Sequence, residues 1–359
     1  MKKEDALILT VVALSTGPAA ASPQRSDEPQ RSDGYVTTAD GLRIFLRRIV
    51  EAAPAANRGP LLLVNGGRPG VLASWDVDVP GPSTAALFAA AGHTVYLMDA
   101  RGFGRSAHTP EMRDGAEAGP VAVRTDEVVN DGAAGVAEIK RRHPGDDRLA
   151  ALGWATGSQW VGAFAAGAPD AFSHLIYYHG AYGGAPGGWP FQSVADPSDP
   201  TALDRARFDA FRCSTAAQAT GRLAEETDDA AFLARYGELA LEGDRRADER
   251  DPPCFRFPSG PLADTLAMVN GRKIFDAGPI RGKVLILRAE NDFWSRPEDV
   301  RALRADLRNA ASVDVVELPG ASHYAHLSPE ARGAFVDAVL AFTAADAPEG
   351  SSGRPQDRP

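Results

Sequence analysis

The sequence predicts an α/β fold, with a mostly parallel eight-stranded sheet, helices on both faces and one inserted helical subdomain. Three observations predict it. Short apolar runs recur along the chain that are continuous rather than alternating, as in strands buried on both faces. Stretches with apolar residues at helical spacing separate them, and the order β-α-β-α builds a parallel sheet covered on both sides. Between residues 182 and 276 that rhythm stops for far longer than one crossover helix requires, which marks an insertion. A length of 359 residues suffices for one large core carrying such a subdomain.

The chain begins with Lys2 and Lys3, an apolar stretch over 6–14 and the small run Ala19-Ala20-Ala21. That order predicts a signal peptide over 1–21 and a periplasmic or secreted protein, with a cytoplasmic location as the alternative. Residues 22–33 contain the polar near-repeat Pro-Gln-Arg-Ser-Asp twice and read as a linker. The core is expected over 34–181 and 277–345. It opens with a hairpin, 35–38 and 42–50 around Asp40-Gly41. Strands follow at 61–64 and 94–98, with a helix over 85–91 between them. A long helix over 124–142 places Val128, Val129, Ala133, Val136 and Ile139 on one face. Buried strands are expected at 149–152, 174–178, 284–287 and 313–318, and helices at 158–166, 297–308 and 329–344. The insertion, 182–276, opens on a Gly/Pro-rich stretch. It predicts helices at 201–210, 215–237 and 261–269, forming a cap over the C-terminal edge of the sheet, where pockets of open α/β sheets form. Its aromatic residues, among them Trp189, Phe191, Tyr236 and Phe257, read as cap core rather than ligand contacts. The tail, 346–359, has the composition of a disordered segment.

A formal net charge of −10 argues against a nucleic-acid partner, because such a surface repels phosphate backbones. No apolar run reaches the roughly 18 residues of a membrane span. The two cysteines, Cys213 and Cys254, could form one disulfide in an exported protein or stand as buried thiols. Neither a metal-binding Cys/His spacing, a P-loop nor a dinucleotide-binding glycine pattern after the first βα turn occurs, so no cofactor is expected. The expected partner is a small-molecule substrate, and the sequence leaves oligomeric state open.

Three loops that follow predicted strands carry chemistry-bearing residues. After 149–152 comes Gly153-Trp154-Ala155-Thr156-Gly157-Ser158, then a helix. After 284–287 comes Arg288-Ala289-Glu290-Asn291-Asp292, and after 313–318 comes Pro319-Gly320-Ala321-Ser322-His323. A fourth loop, Asn65-Gly66-Gly67-Arg68-Pro69-Gly70, follows 61–64. The first resembles the nucleophile elbow, G-x-S-x-G, of the α/β-hydrolase fold superfamily in its epoxide hydrolase and proline iminopeptidase-like branch. Here alanine stands at the centre where serine is expected. The order 155, 292, 323 is the nucleophile, acid, base order of that fold. The fourth loop is similar to the family's His-Gly-Gly oxyanion loop, with Asn65 in the histidine's place. Asp99-Ala100-Arg101-Gly102-Phe103-Gly104-Arg105-Ser106 looks like its D-x-R-G-x-G-x-S segment, which has a structural role. The resemblance implies an Asp292–His323 pair and an oxyanion hole formed by the amides of Gly67 and Thr156. Asn65, Arg68 and Trp154 are the expected substrate-binding residues, Trp154 as a pocket wall.

A methyl group cannot attack a carbonyl, so the covalent serine route is closed with Ala155 in place. Thr156 would point away if its amide serves the oxyanion hole, and Ser158 lies one helical step past the glycine. Three functions remain open. The dyad could activate water against a small ester, lactone or amide. The same dyad could move a proton in a lyase or isomerase reaction without a cofactor. The chain could also be a pseudoenzyme that binds a ligand and catalyses nothing. Because a buried acid–imidazole pair costs desolvation energy, retaining both groups favours catalysis.

Overall fold

The computed structural model describes residues 28–54, 56–113, 120–186 and 194–344. The leader expected over 1–21, the tail over 346–359, and Trp189 and Phe191 lie outside the described residues. Along the chain run β1 (Gln30–Thr37), β2 (Arg43–Val50), β3 (Gly59–Val64), α1 (Val71–Trp75), α2 (Thr84–Ala90), β4 (His93–Met98), α3 (Pro110–Arg113), α4 (Thr125–Arg142), β5 (Ala150–Trp154), α5 (Thr156–Gly167) and β6 (His174–Tyr178). The inserted region carries β7 (Ala195–Asp196), β8 (Asp199–Leu203), β9 (Phe211–Ser214), α6 (Ala216–Thr220), α7 (Ala230–Glu242), β10 (Phe255–Pro258) and α8 (Gly260–Val269). The chain then returns through β11 (Lys283–Asn291), α9 (Pro297–Asp306), β12 (Val313–Ser322) and α10 (Arg332–Ala344).

Eight strands form one sheet in the order β1-β2-β4-β3-β5-β6-β11-β12. The pairs β1–β2 and β2–β4 are antiparallel, and the rest are parallel. In the centre, Leu61, Leu62 and Leu63 of β3 are at most 1% exposed, as a strand covered on both faces must be. Helices α4 and α5 pack on one face, and α2 with α10 on the other. The last strand, β12, expected to be buried, is the sheet's edge instead and leaves Val315 exposed.

The linker expected over 22–33 gives way to strand from Gln30. Its polar residues are used rather than free: Arg31 pairs with Asp76 at 2.9 Å and Asp33 with Arg47 at 2.6 Å. Charged side chains are the ordinary dressing of such an edge strand. In the insertion, the helix expected over 201–210 is replaced by β8 and a turn. Asp199 Oδ1 accepts from the Thr201 N–H and hydroxyl, and Asp204 Oδ1 from the Ala206 N–H, local bonds that compete with a helix. The single helix expected over 215–237 is broken into α6 and α7, the second capped by Asp229, which accepts from the Phe232 N–H at 3.0 Å. Strand β9 pairs antiparallel with β10, and Cys213 forms a disulfide with Cys254 beside that pair.

The D-x-R segment is structural, as expected. Asp99 accepts the N–H groups of Val71 and Arg105, and a side chain at Gly104 would collide with its carboxylate. Burial pushes the Asp99 carboxyl up to about 6. The loops after β3, β5, β6, β11 and β12 thereby meet at the C-terminal edge of the sheet.

Candidate active site

Two glycines let β5 turn into α5. A side chain at Gly153 would collide with the Gly157 carbonyl, and one at Gly157 with the Asn65 carbonyl, so neither position tolerates a Cβ. Between them Ala155 has φ +51° and ψ −111°, a conformation L-residues rarely adopt. It is held there by its N–H, which donates to the Tyr178 carbonyl at 2.8 Å, and by its carbonyl, which accepts from the Ser158 N–H at 3.0 Å. The Ser158 hydroxyl is buried and directed at the carbonyls of Gly153 and Tyr178, 2.5 and 2.8 Å away. It is therefore committed to backbone and cannot replace the missing nucleophile.

His323 follows directly on β12 and Asp292 on β11, two adjacent parallel strands. Their side chains meet: His323 Nδ1 lies 2.6 Å from Asp292 Oδ1. The carboxylate also accepts the N–H groups of Trp294 at 3.0 Å and Ser295 at 2.9 Å, and the Ser295 hydroxyl. Burial opposes ionisation of Asp292. The imidazoles of His179 and His323 and the hydrogen bonds from His323 and Ser295 outweigh it and hold the carboxyl well below the usual range.

Behind the pair stands His179, which nothing in the sequence singled out. It is the first residue after β6 and has φ +57°. Its Nδ1 lies 3.1 Å from the His323 carbonyl, and its Nε2 accepts the Ala289 N–H at 2.9 Å. Only the neutral tautomer protonated at Nδ1 satisfies both bonds. Burial pushes the ring's pKa down to about 3, so it is neutral at physiological pH. Trp154 Nε1 donates to the same His323 carbonyl at 3.2 Å. The elbow and the β6 loop thus both fix the backbone that presents the histidine. His179, Asp292 and His323 bring potential metal-ligand atoms within 4.8 Å of one another. Both His179 nitrogens bond to backbone and His323 Nδ1 bonds to Asp292, so these donor atoms already have partners.

A cavity of about 310 Å³ opens over this arrangement. Ala155, Thr156, Gly67, Arg68, Trp154 and His323 all line it. An added Cβ on Gly67 would stand 2.9 Å from Thr156 Oγ1, which puts the two expected oxyanion residues side by side. Asn65 does not line the cavity, contrary to expectation. It is buried, donates to the Gly66 carbonyl at 2.7 Å and accepts the Ala100 N–H at 3.3 Å, so it shapes the loop from within. Tyr236 and Phe257, read as core of the insertion, are buried in the hydrophobic core and also line the cavity, together with Arg212, Arg222, Phe293 and Trp294. Phe293 and Trp294 were within reach of sequence reasoning, because they follow Asp292 directly. Arg212 was not, since its position depends on pairing between β9 and β10, about 40 residues apart.

Among solved structures, the fold is similar to the thioesterase domain from the curacin biosynthetic pathway, with a TM-score of 0.56 and 17% identity over 87% of this chain and 99% of that one. It is similar to the enol-lactonase from Burkholderia xenovorans LB400, with a TM-score of 0.55 and 17% identity over 87% of this chain and 100% of that one. It is also similar to E-2-(acetamidomethylene)succinate hydrolase, with a TM-score of 0.53 and 19% identity over 88% of this chain and 100% of that one. No curated protein sequence matches significantly. At such identities the likeness is one of fold. The family profile described as serine aminopeptidase, S33, matches residues 82–330, a stretch holding the elbow, the acid and the histidine alike. By that match the chain belongs to the S33 serine aminopeptidase family of α/β-hydrolases, with alanine at the centre of its elbow.

Proposed function

We propose that the chain hydrolyses a small ester, lactone or amide by direct attack of water, without an acyl-enzyme. The observation that carries this reading is the 2.6 Å contact between His323 Nδ1 and Asp292 at the wall of a cavity whose elbow presents only a methyl group. With Asp292 accepting the Nδ1 proton, His323 Nε2 is left as the base. It takes a proton from water as the water oxygen bonds to the substrate carbonyl carbon. The carbonyl oxygen becomes an oxyanion beside the amides of Gly67 and Thr156. Collapse breaks the bond to the alcohol or amine, which leaves with the proton His323 returns. Asp292, ionised throughout, stabilises the imidazolium that exists between those steps.

Loss of a serine nucleophile costs on the order of 10⁶ in turnover and leaves on the order of 10³–10⁴ over water from the oxyanion hole and binding. The proposed route therefore predicts slow hydrolysis, without burst kinetics. Two substitutions test it on 4-nitrophenyl butyrate. His323→Ala should abolish turnover, and unchanged turnover would remove the dyad from the reaction. Ala155→Ser should create a residue labelled by fluorophosphonate probes and raise turnover with a burst. Absence of labelling in a folded variant would count against reading residue 155 as the centre of a nucleophile elbow.

A further inference from the structure

We propose that the substrate carries a carboxylate, bound in the cavity by Arg212 together with Arg68. This inference rests on the hydrolytic reading for its place in a reaction, though its geometry is independent of it. The residues lining the cavity include three arginines, Arg68, Arg212 and Arg222, and no aspartate or glutamate among the described residues. The chain as a whole has the opposite balance, 48 acidic against 38 basic residues, so the cavity reverses the sign of its surroundings.

Arg212 is the decisive group. Its Nε is buried and has no hydrogen-bond partner among the described residues. Other arginines of the inserted region are matched: Arg256 pairs with Asp244 at 2.8 Å, and Arg235 with Asp78 at 3.0 Å. A guanidinium with a buried, unpaired Nε and no carboxylate among the described residues lining the cavity bears an uncompensated desolvation cost, which an anionic ligand would remove. The group is also held in place. Strand β9 places Arg212 opposite Phe257 of β10, the guanidinium lies 4.4 Å from that ring, and the Cys213–Cys254 disulfide adjoins it in sequence. A planar fork fixed by stacking is suited to a carboxylate, which it can hold through two bonds.

Arg68 approaches the same ring, at 5.7 Å, and its Nη1 lies 3.4 Å from the Ser214 hydroxyl. It adjoins Gly67 in sequence, so the anion site is continuous with the expected oxyanion hole. Burial and the charge of Arg68 push the Arg212 pKa down to about 9, which leaves it protonated at neutral pH. Two cations turned to one aromatic ring repel each other, and a carboxylate between them reverses that repulsion.

The test measures binding by calorimetry on the full chain, with phenylacetate and its neutral methyl ketone, phenylacetone, as probes. Phenylacetate should bind about 10- to 100-fold more tightly, the range expected of hydrogen bonds to a charged group. Arg212→Met should remove most of that preference and leave phenylacetone binding unchanged. Arg68→Met should weaken phenylacetate binding as well, and it supplies the answer if Arg212→Met fails to fold. Equal affinity for the two probes, or a preference that survives both substitutions, would overturn the proposal. Hydrolysis is scored separately with 4-nitrophenyl butyrate and mono(4-nitrophenyl) succinate. Carboxylate binding without turnover of either ester supports the anion site and overturns the hydrolytic reading. Turnover of the butyrate without carboxylate binding does the reverse.

Discussion

Replacing His179 with phenylalanine keeps a ring stacked against Tyr178 and His323, whose centroids lie 3.9 and 5.1 Å away, but removes both ring nitrogens. The Ala289 N–H, fully buried, then loses the acceptor 2.9 Å from it, and an orphaned buried donor costs about 1–3 kcal/mol. The His323 carbonyl keeps Trp154 Nε1 and loses only one of two donors, a net loss of about 0.5–1.5 kcal/mol. At pH 8 the variant should therefore be less stable by about 2–4 kcal/mol. The penalty should then shrink in acid. In the fold the imidazole pKa is about 3, against an ordinary value near 6.5. A depressed pKa means stability that is full above pH 6.5 and is lost as pH falls towards 3, by up to about 1.4 kcal/mol per pH unit. By pH 5 the parent has lost about 2 kcal/mol through this residue, and the phenylalanine variant has not. The difference between the two proteins should fall to about 0–2 kcal/mol. Urea unfolding at pH 8 and pH 5, with the slopes compared, measures it directly. An equal penalty at both pH values would refute the neutral, doubly bonded His179, and no penalty at pH 8 would refute the hydrogen bonds.

Removing the disulfide with Cys213→Ser should lower stability by about 3–4 kcal/mol, because the closed loop spans a separation of 41 residues. The loss should appear in urea midpoints and match the effect of a reductant on the parent, with no further effect of reductant on the variant. Ala155→Gly should behave in the opposite sense: relief of backbone strain of about 1–3 kcal/mol exceeds the roughly 0.5–1 kcal/mol that glycine costs in chain entropy. A thermal melt showing Ala155→Gly clearly less stable than the parent would mean the turn is not strained.

The central sheet was legible because β3, β4, β5 and β6 are covered on both faces and so read as unbroken apolar runs, such as Leu61-Leu62-Leu63-Val64. The elbow and the acid–histidine pair were legible because strand order dictates which loops meet, and each loop carried a residue type suited to its place. Asn65 was misread because a side-chain amide can bond its own loop as readily as a ligand, and its two local partners decide the matter. His179 left no signature because its role comes from two backbone groups, at positions 289 and 323, that adjoin it only once β6, β11 and β12 are in register. The 201–210 segment looked helical by composition, yet side-chain bonds from Asp199 and Asp204 take the local N–H groups first. Arg212 became visible only when β9 paired with β10.

Two features of the cavity work against folding stability rather than for it. Ala155 occupies a strained region of backbone space, and Arg212 buries a nitrogen with no hydrogen-bond partner among the described residues. The core needs neither of them, and both line one cavity. The strain at 155 is the more informative, because alanine has no oxygen for that backbone to aim. What the turn still positions is Thr156, the next residue, whose side chain stands beside Gly67. A chain with no demand on that residue would gain stability by relaxing the turn. Persistence of the strain without the nucleophile supports the oxyanion hole proposed at Gly67 and Thr156. Such a hole, beside a histidine whose Nδ1 is held by Asp292, would need only water to complete the reaction proposed for it.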